Sequence, residues 1–137
     1  MSLILLIAIN FRTILKQSDG GPSKPAEVVI QTERDWSAFL ATCPPSTRTK
    51  LKAEAIKFAE ETVVAVALGE NHDAADWGED KRAGILRTDW SGDDLDVAYS
   101  VVETDTQQDR ARYPIHVIRT RKARKVSFHK TAITEGG

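Results

Sequence analysis

Residues 68–84, LGENHDAADWGEDKRAG, set His72, Asp73, Asp76, Glu79 and Asp80 around Trp77. Carboxylates gathered in this way suit a hard divalent cation, and a histidine beside acids suits zinc or proton transfer. The spacing speaks against both. An EF-hand needs acids or amides at alternate positions, a central Gly and a closing Glu, and this segment lacks that order. Zinc would need further nitrogen or sulfur donors, and His116 and His129 belong to other predicted strands. The expectation is a charged, solvated connector that leaves the end of a strand, with Trp77 folded back on the core and no metal or cofactor bound; a small-ligand or metal-binding domain using residues 70–84 is the alternative.

Other catalytic patterns are missing from the sequence. It contains no Gly-x-Ser-x-Gly, no Gly-rich phosphate loop after a strand and no His-Glu-x-x-His. Cys43 is the sole cysteine, which rules out an intramolecular disulfide and a multi-cysteine zinc site. It reads as a small apolar residue just past a helix end. His116 lies inside an apolar strand pattern and reads as a packed histidine; His129, near the tail, reads as exposed. A non-enzymatic protein is expected.

The remaining chemistry is electrostatic. Residues 60–96 hold eleven acids against three bases, whereas residues 110–130 hold eight bases and no acid. Arg119, Arg121, Lys122, Arg124 and Lys125, in RTRKARK, form the candidate interaction surface. With Tyr113 and Phe128 nearby, nucleic acid is one partner to weigh, but a formal net charge of −1 gives the whole molecule no field that favours it. A turn between strands, or a charged sheet edge, explains the same residues. If strands 113–120 or 126–129 lie at an edge, a two-fold homodimer can set the basic edge of each copy against acids of the other. That dimer is expected; compensation of the charges within one chain is the alternative.

The elements that would position these residues follow from periodicity. From Ile7 to Lys16 apolar and polar residues alternate, with Ile7, Ile9, Phe11, Thr13 and Leu15 on one side, as in a half-buried strand. SDGGPSKP (18–25) is a turn, and Glu27–Gln31 a short strand. Thr32-x-x-Asp35 resembles a capping box, and Trp36, Phe39 and Leu40 form one apolar helical stripe that Pro44-Pro45 ends. Another helical turn or two fits Thr49–Ala55. Thr62–Leu68 is apolar on both faces, as a covered central strand should be. Ala83–Trp90 and Leu95–Glu103 flank a hairpin turn at Ser91–Asp94. Tyr113–Thr120 and Val126–His129 are the last strands, before a tail. The fold class expected is mostly β: a single-domain antiparallel β-sandwich or open barrel over residues 1–137, with one short covering α-helix. Trp36, Phe39, Phe58, Val64, Val66 and Ile115 are expected in its core.

In this order the pieces resemble the PrcB-like C-terminal domain, the family named for a small subunit that stabilises a secreted bacterial protease complex. The resemblance rests on FRTILKQSDGG, VVIQTERDWSAFL, IKFAEETVVAVALGE and YPIHVIRTRKARKVSF, and covers about residues 9–129. Trp36, Phe58, Gly69 and Pro114 are its anchors. Lys57 stands where the family usually has Asp, and KRAGIL keeps only Gly84 of a Gly-Gly-aromatic step. The resemblance implies a β domain without catalytic residues that binds or stabilises another protein. That family is generally exported, often behind a lipoprotein leader. Here Met1–Ile9 lacks a basic leader and cleavage site and is shorter than the ~20 residues that span a bilayer, so the sequence reads as a soluble, cytoplasmic chain.

Overall fold

The computed structural model describes residues 11–72, 77, 81–104 and 110–135. Among these residues seven strands form two sheets. The first has the order β1 (Arg12–Gln17), β6 (Ile115–Arg121), β3 (Glu61–Leu68), β2 (Pro25–Ile30), all antiparallel. The second has the order β4 (Gly84–Ser91), β5 (Asp94–Thr104), β7 (Lys125–Glu135). The sheets do not close into a barrel, and their apolar faces meet as in a β-sandwich. Val64, Val66 and Ile118 from the first sheet pack with Leu95, Val97 and Val101 from the second.

The other face of the first sheet carries two helices, α1 (Glu33–Thr42) and α2 (Pro45–Lys52). Trp36, Phe39 and Leu40 of α1 pack there with Leu51 of α2 and with Val63, Ala65, Ile115 and Val117. Alternate residues of β3 and β6 therefore enter different cores. That is why TVVAVAL shows no polar face. Thr32 caps α1: its backbone is extended (φ −141°, ψ 162°) and its side-chain oxygen accepts from the Asp35 N–H at 3.1 Å. The Asp35 carboxylate turns back to the Gln31 N–H, 3.5 Å away.

Several expectations need correcting. The covering layer has two helices, not one, because Pro44 ends the first by holding Cys43 extended, and Pro45 opens the second as its initial residue, where its fixed φ and missing N–H do no harm. The sandwich is not purely antiparallel: β5 and β7 run parallel, from Asp94↔Lys125 to Thr104↔Glu135. The TAITE segment is not tail but the second half of β7, which extends to Glu135. In β1 the alternation breaks at a bulge between Thr13 and Leu15. Phe11 packs into the core between the sheets, while Ile14 and Leu15 pack toward the helices. A bulge inserts one residue and so changes the face that follows. The expected core residues are buried, except Phe58, which is half-buried against Trp36.

The β4–β5 hairpin turns at Gly92-Asp93 with positive φ at Gly92 only (62°), the pattern of a type II′ turn. Among the described residues, no helix is long and apolar enough to cross a membrane.

Candidate functional site

Of the acidic-loop residues, Asp73, Asp76, Glu79 and Asp80 lie outside the described residues. His72 is partly exposed, with Nε2 3.4 Å from a Glu70 carboxylate oxygen. Neighbouring Asn71 exchanges backbone hydrogen bonds with Arg112, at 2.9 and 2.8 Å. Trp77 is fully buried between the sheets, edge-on to His116 with ring centroids 6.5 Å apart. Among the described residues no three potential metal ligands converge.

His116, on β6, is 2% exposed. Its Nδ1 accepts the Ile85 N–H at 2.9 Å, which leaves the proton on Nε2, 2.9 Å from the Thr13 hydroxyl. Burial, reinforced by the Lys16 ammonium, pushes its pKa down to about 3. Both ring nitrogens are thus engaged in tying β6 to the bulged regions of β1 and β4, and the imidazole stays neutral. Cys43 is 2% exposed, and its Sγ donates to the Phe39 carbonyl at 3.6 Å. Burial raises its pKa, against smaller opposing effects of Thr42 and Arg48. Neither group offers the exposed, polarised nitrogen or thiolate that acid–base or nucleophilic chemistry uses.

The basic stretch is largely consumed within the chain. Arg119 donates to both Glu61 carboxylate oxygens at 2.7 Å and to the Ala55 carbonyl at 2.9 Å. This bidentate pairing holds the Glu61 carboxyl below its usual range. Arg121 stacks 3.7 Å over the Trp90 ring and reaches Asp93 and the Gly92 carbonyl. Lys122 donates to the carbonyls of Gln31 and Phe58. Arg124 binds Asp94 with two bonds, at 2.8 and 2.9 Å. Lys125 is exposed. The acids of the 60–96 stretch that meet these bases are its own chain's, so the charge split does not by itself call for a second copy.

What the periodic reading did not single out is the outer edge of β2. Among the described residues no strand lies beyond it. The Leu68 N–H points across to the Pro114 carbonyl, on the β6 side of β3. Alternation then turns the backbone groups of Ala67, Ala65 and Val63 toward β2, opposite Ala26, Val28 and Ile30. The N–H and C=O of Glu27 and Val29 therefore face outward. Pro25, with no N–H, closes one end of this short ladder, and Gln31, bonded to Asp35 and Lys122, closes the other.

Beside this edge, between β2 and α1, runs a groove of ≈ 600 Å³ lined by Pro22, Pro25, Val28, Ala38 and Phe39, with Lys24 and Asp35 among its polar residues. On the opposite face of β2, Glu27 accepts the Tyr99 hydroxyl at 2.5 Å. Burial, then the Glu27 carboxylate, raises the tyrosine pKa. The one sequence signal for an edge was Pro25 itself, since proline within a sheet is confined to edges and strand starts.

No family model, curated protein or solved structure matches this chain.

Proposed function

We propose that this chain is a non-enzymatic protein-binding domain that receives an extended segment on the open edge of β2. The observation that carries the reading is the pairing of outward backbone groups at Glu27 and Val29 with an apolar groove at their side. A sheet edge supplies main-chain hydrogen bonds to any added strand, and a flanking pocket selects its side chains. The engagement of His116 and Cys43 inside the cores supports a role without catalysis. The resemblance to the PrcB-like domain, whose namesake stabilises a protease complex, supports the same class of function. Nucleic acid is the weaker partner, because Arg119, Arg121, Lys122 and Arg124 are occupied by their own chain.

The test uses isolated, immobilised domains presented to a displayed library of peptides. Extended sequences with alternating apolar residues should be enriched on the wild type and lost on Val29→Pro, which removes one outward N–H without touching the β2–β3 ladder. No enrichment, or enrichment equal on both proteins, refutes the reading.

A further inference from the structure

We infer that the segment received at β2 is β2 of a second copy, paired antiparallel about a two-fold axis at Val28. This deepens the docking reading above and rests on it.

The four sheet edges are not alike. β1 carries a bulge together with Arg12 and Lys16. β4 carries a bulge between Ile85 and Arg87. β7 carries Lys125, His129 and Lys130 along an exposed strand. Bulges and basic side chains are the usual guards against unwanted strand pairing. β2 has neither: its register to β3 is unbroken from Pro25 to Ile30, and Glu27 is its one charge. Among the described residues its guard is Pro25, at the very end.

Backbone bonding then selects the register. A two-fold at Glu27 would put two like carboxylates directly opposite and would set Pro25 against the Val29 carbonyl, leaving that carbonyl without a donor. A two-fold at Val29 would put Glu27 opposite Gln31, whose N–H and C=O are already taken by Asp35 and Lys122. A two-fold at Val28 matches Glu27 with Val29 of the second copy and Val29 with its Glu27. All the outward groups of both residues are then bonded. Pro25 falls opposite Gln31 of the second copy, so its missing donor meets a carbonyl that Lys122 already satisfies.

Side chains fit the same register. Val28 faces the helix layer and is half-buried in the single chain. On the axis it meets its own copy at the closest spacing an antiparallel pair allows. The grooves of the two copies then join across the axis. Lys24 lands opposite Thr32 of the second copy, beside the acidic first turn of that copy's α1, which contains Glu33 and Asp35.

Two measurements test this. In a Cys43→Ser background, Val28→Cys should form an intermolecular disulfide under mild oxidation, because Cα atoms of such a pair lie ~4.5 Å apart, within disulfide range. Val29→Cys, whose partner position is Glu27, should not crosslink. Light scattering from low to high micromolar protein should give a dimer for the wild type and a monomer for Val29→Pro, with circular dichroism confirming that the variant folds. A wild type that stays monomeric throughout overturns the inference, as does a dimer that survives Val29→Pro or gives no Val28→Cys crosslink. A monomer that still enriches displayed peptides at β2 would leave the docking reading standing while this one falls.

Discussion

Acid should loosen this protein through one histidine. The His116 ring is neutral in the fold, with its pKa pushed down to about 3 from an ordinary 6.5. Above pH 6.5 neither the folded nor the unfolded chain protonates it, and its contribution to stability is complete. As pH falls below 6.5 the unfolded chain takes up a proton that the folded chain refuses, so stability drops until the folded value is reached. At pH 5 that is ~1.5 pH units at about 1.4 kcal/mol each, or about 2 kcal/mol; by pH 3 it approaches about 5 kcal/mol.

The window from pH 7 to pH 5 isolates the histidine, since most carboxylates titrate lower. Urea denaturation at pH 7 and pH 5, with thermal melts alongside, reads the effect; a melting temperature lower by roughly 5–10 °C at pH 5 is expected. His116→Gln removes the titration. Its stability at pH 7 should be lower, since the Ile85 N–H and Thr13 hydroxyl lose their partner, but its change between pH 7 and pH 5 should vanish. Equal wild-type stability at both pH values, or the same loss in His116→Gln, refutes the reasoning.

Four other substitutions probe the remaining supports. Gly69 and Gly92 both have positive φ (71° and 62°), but a Cβ at Gly69 would meet Pro25 Cδ at 2.6 Å, whereas one at Gly92 meets nothing within 4 Å. Gly92→Ala should therefore cost only the positive-φ backbone strain of its turn position, about 1–3 kcal/mol; Gly69→Ala should cost clearly more, both measured by thermal melts. Arg119→Met leaves the Glu61 carboxylate, with a side chain only 22% exposed, without its two guanidinium bonds; a loss of about 1–3 kcal/mol is expected in urea titration. Trp36→Ala opens the core beneath the helices, where Trp36 stacks on Phe39 with centroids 6.3 Å apart, and should cost ~3–5 kcal/mol by the same assay.

Much of the architecture was legible in the chain itself. The run Thr62–Leu68, apolar on both faces, announced a strand covered on both sides; Thr32, Trp36, Phe39 and Leu40 announced α1; Ser91–Asp94 announced the hairpin. Each is a local pattern, in which side-chain period reports the buried face and a cap or turn residue reports the end. Helix α2 was only half legible, because PSTRTKLK offers just Thr47 and Leu51 to the interior and owes its helix to docking beside α1. The tertiary structure alone decided the rest. Whether Arg119 and Arg124 were available depended on Glu61 lying across from one and Asp94 across from the other, 58 and 30 residues away in sequence. The parallel partnership of β5 with β7, and the exposure of β2 rather than 126–129 as the unguarded edge, depended on strand order. A side chain's period shows which face is buried, but not which neighbour takes up the backbone's hydrogen bonds. That is settled only when strands distant in sequence meet, and what β2 leaves unpaired is settled at the same moment.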